Sequence, residues 1–212
     1  LRELKKADDS RKSFEQALNL DKTNYRAELG LALLDADDGD QKAAMGRIEA
    51  ILKGEPENVD ALTQKSALLT QQGKVNESLA VLSRILEIEP DNLRVRVGRA
   101  RALVQLRKRQ EANADVDWLL KNYPNLPLTA YLKASVLFLE GDYAESETWA
   151  QKVLSVYPDD LSARRLMGAI ALVRQNYVIA EEHLGKLVSA NSQDLSAIKG
   201  LAEARFNSGN LD

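Results

Sequence analysis

At 212 residues, with 44% apolar and 29% charged side chains and a net charge of −3, the chain is long enough for one or two ordinary domains or one repeat array, and as a whole it offers no electrostatic reason to bind nucleic acid. Having no cysteine and a single histidine, it excludes disulfides, thiolate chemistry and any metal site built from His and Cys. No apolar run approaches the roughly eighteen residues of a membrane span, and there is no signal-peptide core.

Pro56, Pro90, Pro124 and Pro158 stand 34 residues apart, and the same step leads back to Lys22 and on to Ser192. These breaks divide the chain into full units 25–58, 59–92, 93–126, 127–160 and 161–194, with partial units 1–24 and 195–212. Positions are counted so that the proline is position 32. Leu1 then falls at position 11 of its unit and Asp212 at position 18 of its own, so both ends cut a unit and a longer array is expected.

Residues 1–20 read as a helix with Phe14, Ala17 and Leu18 facing inward. Unit 25–58 has an acid-rich turn from Asp35 to Asp40. Its glycine is one place early for a calcium loop and the closing glutamate is missing, so the expectation is a solvated turn with Asp40 capping the next helix. Unit 93–126 carries Arg94, Arg96, Arg99, Arg101, Arg107, Lys108 and Arg109 with no acid among them. This is a local basic band, suited to an acidic peptide or an anionic polysaccharide unless acids of adjacent units neutralise it. Arg107 replaces the glycine of position 15, which predicts a turn unlike its neighbours. Unit 127–160 reads as helix, Gly141-Asp142-Tyr143 turn, then a second helix ending at Tyr157-Pro158. In unit 161–194, His183 lies on the second helix with no partner for catalysis or metal binding. The remaining carboxylate pairs, Asp8-Asp9 and Asp159-Asp160, are expected at solvent-facing turns. No enzyme activity, cofactor or metal is expected.

Two offsets are small throughout. Position 8 is Ala32, Ser66, Ala100, Ala134, Gly168 and Ala202; position 20 is Ser10, Ala44, Ser78, Ala112, Ser146 and Ala180. Small side chains there let the two helices of a unit approach closely, while position 28 (Leu18, Leu52, Leu86, Leu120, Leu154, Val188) supplies bulk behind them. A 34-residue helix–turn–helix with this pattern resembles the tetratricopeptide repeat. The resemblance spans the chain and implies an all-α fold, a right-handed α-solenoid in a single array over 1–212.

That resemblance also implies where a ligand would lie. Positions 2, 5, 9 and 12 of each first helix line the concave groove of such arrays. The candidate binding residues are Arg94, Val97 and Arg101, then Tyr131 and Phe138, then Arg165, Leu172, Lys199 and Phe206. An extended peptide or amphipathic helix is the expected occupant, although position 12 could equally be half-buried against the next unit. The carboxylate clamp of chaperone-binding members is not expected, since position 9 has no asparagine and position 6 no basic residue; the asparagine ladder of glycosyltransferase-linked arrays is missing too.

Between about Asp115 and Ala204 the chain is similar to tetratricopeptide lipoproteins that accompany bacterial exosortase (PEP-CTERM) protein sorting and exopolysaccharide export. The resemblance rests on Pro124-Asn125, Pro127, Tyr131, Gly141-Asp142-Tyr143, Pro158-Asp159, Gly168, Ala180-Glu181 and Leu184. It implies a non-enzymatic scaffold, periplasmic or anchored to the outer membrane of a Gram-negative bacterium. The alternatives are a cytoplasmic adaptor or co-chaperone-like module, and a regulatory domain of a larger enzyme.

Overall fold

The computed structural model describes residues 2–209, with side chains from residue 6; Leu1 and residues 210–212, Asp212 among them, lie outside the described residues. Among the described residues the chain forms twelve α-helices and no strand. They are α1 (Arg2–Leu20), α2 (Tyr25–Asp37), α3 (Gln41–Gly54), α4 (Val59–Gln71), α5 (Val75–Ile88), α6 (Leu93–Gln105), α7 (Arg109–Asn122), α8 (Pro127–Glu140), α9 (Tyr143–Val156), α10 (Leu161–Val173), α11 (Tyr177–Ala190) and α12 (Leu195–Ser208). The starts of α2, α4, α6, α8, α10 and α12 step by the 34 residues of the sequence period, as do those of α3, α5, α7, α9 and α11.

Capping explains why the starts keep step. An Asn or Asp just before a helix accepts from the N–H three residues on and satisfies an otherwise orphaned donor. Asn24, Asn58, Asp160 and Asp194 do this for α2, α4, α10 and α12, and Asp40, Asp142 and Asn176 for α3, α9 and α11. The Asp40 carboxylate, for example, accepts from the Ala43 N–H at 2.9 Å. Lys74 and Lys108 stand at cap positions without a side-chain bond. At α8, Pro127 occupies the first turn after Leu126, where its missing N–H costs nothing.

The chain divides into two compact units, Leu1–Ala102 and Leu103–Asp212, with the division inside α6. In the first, α1, α2, α3, α4 and α5 pack in succession. One core cluster joins Ala32, Ala44, Ile48, Ile51, Ala61 and Leu68; another joins Leu62, Leu82, Ile85, Leu86 and Val95. Phe14 of α1 lies over Gly30, where a Cβ would stand 2.5 Å from its ring, so the bare backbone admits the ring. In the second unit α7 to α12 pack in the same successive manner, and α10 also touches α8 and α12.

The small positions form the seams of the helical hairpins. Ser146 Oγ donates to the Ala134 carbonyl at 2.7 Å, and Ser78 Oγ to the Ser66 carbonyl at 3.0 Å, both buried. At the α10–α11 seam a Cβ on Gly168 would lie 2.7 Å from Leu184, so a larger residue there must displace it. Ser10 and Ala202, at the outermost occurrences, are exposed. Position 28 is only part of the bulk: Leu52, Leu120 and Val188 are half-buried, whereas Ile51, Ile85, Leu119, Val153 and Leu187 at position 27 are buried.

Three expectations are corrected. The turn at Arg107 matches its neighbours: Arg107 takes a left-handed backbone (φ 57°), as Gln175 does (φ 58°), where Gly73 and Gly141 have φ 72° and 87°. The Lys108 N–H reaches the Leu103 carbonyl at 2.9 Å just as Lys74 N–H reaches Leu69 at 2.8 Å. The turn's hydrogen bonds impose the conformation on whatever residue stands there. Second, Asp35 is buried, accepting from Arg11 of α1 at 2.8 Å and from Arg47 of α3 at 2.7 Å, so it is no part of a solvated turn. Third, Asp8 and Asp9 are exposed but lie within α1, not at a turn.

Candidate functional site

In the second compact unit, α8, α10 and α12 are neighbours, so their matching positions lie side by side. Tyr131 is half-buried and packs against the cluster of Ala130, Ala134, Ala150, Val153, Leu154, Ala163 and Met167. Phe138 is half-buried, in edge contact with Tyr143 at 5.5 Å between ring centroids. Leu172 is half-buried against the α10–α12 core, close to Gly200. Phe206 is 72% exposed. Arg165 and Lys199 are exposed; the Arg165 guanidinium is held by Asp194 at the start of α12. That bond, joined by the Ala197 N–H, pulls the Asp194 carboxyl below its ordinary range. The face thus grades from aromatic and half-buried at α8 to open and mixed basic–aromatic at α12.

In the first compact unit Arg94 and Arg101 are exposed on α6, and Val97 is half-buried between them in sequence. Of the basic band, Arg96 is half-buried and donates to the Pro90 carbonyl, which fixes it on the preceding turn. Lys108 pairs with Glu111 at 3.3 Å. Arg94 and Arg101 are exposed, as are Arg107 and Arg109 of the second compact unit.

A second, polar feature was missed in the sequence. Positions 4 and 23 of a unit lie opposite one another across the hairpin: Glu28 receives Arg47 Nη1 at 3.0 Å, and Leu62 and Val81 belong to one apolar cluster. Ala130 and Trp149 likewise share a cluster. In α10 and α11 the pair is Arg164 and His183, 3.5 Å apart between Nη1 and Nδ1 and both buried. Burial pushes the His183 imidazole below its usual pKa, and the Arg164 charge acts in the same direction against the opposing pull of Glu182. Periodicity placed His183 on the second helix but gave no sign that it was buried against an arginine.

Among the described residues no cluster of His, Cys, Asp or Glu could hold a metal, and no helix is long and apolar enough to cross a membrane.

Two tetratricopeptide repeat profiles match the sequence, over residues 35–96 and 97–161, together more than half of the chain. The chain belongs to the tetratricopeptide repeat family. Among solved structures it is similar to a tetratricopeptide repeat protein from Parabacteroides merdae, at 24% identity and a TM-score of 0.69, covering 88% of this chain and 74% of that one. It is also similar to PilW, a widely conserved type IV pilus biogenesis factor (20% identity, TM-score 0.74, 88% and 87% covered). A third is YrrB, described as having an unusual peptide-binding site (16% identity, TM-score 0.67, 88% and 96% covered). At these identities the likeness is one of fold. Comparison with curated proteins gives no match. Tetratricopeptide arrays bind protein or peptide partners, and the fold defines this chain as an interaction scaffold.

Proposed function

We propose that the chain is a non-enzymatic scaffold of the bacterial envelope that holds a peptide segment of a partner protein against α8, α10 and α12. The observation that carries the reading is the face of the second compact unit. There Tyr131, Phe138 and Leu172 form half-buried apolar footing, while Arg165, Lys199 and the 72% exposed Phe206 stand open beside them. An extended or helical segment with apolar anchors and flanking acids suits such a surface. Arg94, Val97 and Arg101 offer acidic segments or an anionic polysaccharide a second place to bind on α6.

The envelope assignment, with a role in protein sorting or exopolysaccharide export, is supported by the wording of residues 115–204, and a pilus biogenesis factor shares the fold. The test has two arms. Fractionation of native cells should find the protein in the envelope; recovery in the cytosol refutes that assignment and favours the adaptor reading. Crosslinked partners should be lost with Lys199→Glu plus Phe206→Ala, which touch only exposed positions. Full retention by this folded double variant refutes the face.

A further inference from the structure

The Arg164–His183 pair departs from the rest of the array. At positions 4 and 23 three other units hold Glu28 with Arg47, Leu62 with Val81, and Ala130 with Trp149. Each combination is complementary in charge or in size. Arg164 is a cation with no carboxylate at the facing position, where His183 stands. Arg164 is 5% exposed. Its Nη2 donates to the Pro158 carbonyl, its Nη1 reaches His183 at 3.5 Å, and its Nε is buried with no acceptor. The nearest acid, Asp159, is 3.5 Å from Nη2 with a side chain 96% exposed, so water screens it. A buried guanidinium carries five donors, and leaving them and the charge under-supplied is expensive. Because a guanidinium only donates, Nδ1 of His183 must accept, and the ring proton sits on Nε2. The pair therefore presents donors alone.

Both side chains line a cleft of about 380 Å³ between α9, α10 and α11, with Leu154, Met167 and Ile179 as apolar walls. Glu147 and Glu182 also line it. Glu147 is bound by Arg174 and Glu182 stands 4.0 Å from Lys186, and among the described residues neither forms an ion pair with Arg164. We propose that this cleft is a binding subsite for a carboxylate on a short aliphatic stem, whose oxygens accept from the buried Arg164 and His183 donors while its stem lies along Leu154, Met167 and Ile179. The same chemistry is offered by a free short-chain acid and by a glutamate side chain of a peptide. The subsite is separate from the face formed by Arg165, Lys199 and Phe206 and stands whether or not that face binds a partner.

His183 is the only histidine in the chain, so its imidazole NMR signals report on the cleft without ambiguity. Titration with sodium butyrate, against sodium chloride at matched ionic strength, should move them saturably. Bound carboxylate should also raise the imidazole pKa, since an adjacent anion favours the protonated ring. Arg164→Lys should weaken butyrate binding tenfold or more. Glu182→Gln, an exposed change with little risk to folding, should tighten it severalfold by removing a like charge. A parallel titration with acetyl-Ala-Ala-Glu-Ala-Ala-amide identifies the source: saturation below the butyrate range assigns a peptide glutamate, and saturation by butyrate alone assigns a free acid. A response no different from chloride, or phosphate binding as tightly as butyrate, overturns the proposal, as does a Glu182→Gln variant with unchanged affinity.

Discussion

Replacing Arg107 by glycine should stabilise the protein, although no contact seen in the folded chain is improved. Arg107 sits at φ 57° in the α6–α7 turn, where an L-residue pays about 1–2 kcal/mol for the approach of Cβ to the following carbonyl. Glycine escapes that cost but gives back roughly 0.5–1 kcal/mol in the larger entropy of the unfolded chain. The expected net gain is roughly 0.5–1 kcal/mol. Gln175, at φ 58° in the α10–α11 turn, should behave alike, and the double variant should gain about twice as much because the turns share no partner. Urea unfolding followed by circular dichroism measures it: with an m-value of about 2–3 kcal/mol/M, the midpoint should rise by about 0.2–0.5 M per site with the slope unchanged. Arg107→Ala is the control, since alanine keeps the Cβ and should leave the midpoint nearly where it was. The converse is Gly141→Ala, where a Cβ would meet nothing within 4 Å yet φ is 87°, so its cost of about 1 kcal/mol is purely conformational. If Arg107→Ala stabilises as much as Arg107→Gly, the side chain and not the backbone is responsible, and the reasoning fails.

Three further outcomes can be measured. Ala134→Leu, at a fully buried seam where the Ser146 hydroxyl bonds the Ala134 carbonyl, should cost about 1–3 kcal/mol by overpacking; a neutral melt would show that the seam is slack. Asp35→Ala should cost roughly 1–3 kcal/mol in urea melts, because Arg11 and Arg47 then lose the carboxylate they share. Burial alone would raise the Asp35 pKa, but the hydrogen bonds from both arginines outweigh it and hold it below the usual value. Its stabilisation is therefore complete above the unfolded carboxyl pKa of about 3.9 and disappears as pH falls through the lower folded value; an Asp35→Ala penalty unchanged well below pH 3 would contradict this. His183 has the opposite chemistry but the same direction. Its folded pKa lies below the ordinary 6.5, so the unfolded chain takes up the proton first and stability declines as pH drops below about 6.5. The melting temperature should fall between pH 7.5 and 5.5 in the native chain and stay flat over that range in His183→Gln; parallel curves would exclude the histidine as the cause.

The fold was readable because its determinants are local and periodic. Prolines, caps and small residues at two offsets recur in register, and each needs only its own helix pair to be interpreted. What escaped the sequence depended on which side chains meet across helices. Arg107 looked like a broken turn since residue type was taken to decide backbone conformation, whereas the hydrogen bonds to Val104 and Leu103 decide it. Gln175, at the same offset, drew no notice for the same reason. Asp35 sat among exposed acids and looked solvated, because the two arginines that bury it come from 24 residues before and 12 after. The binding face shows the same limit: Tyr131, Phe138 and Leu172 are apolar residues at one offset each, and only packing separates their half-buried state from the exposure of Phe206.

The matched residues at positions 4 and 23 lie inside one 34-residue block, nineteen residues apart on the two arms of a single hairpin. Copying, losing or transplanting a whole block therefore never parts Glu28 from Arg47 or Ala130 from Trp149. An array can lengthen or shorten by duplication without creating a bereaved charge in its interior. Single substitutions have no such protection: a lone change at either position strands its companion. Drift at these sites is expected to come in pairs, and a half-finished exchange leaves a vacancy that a small molecule from outside can fill.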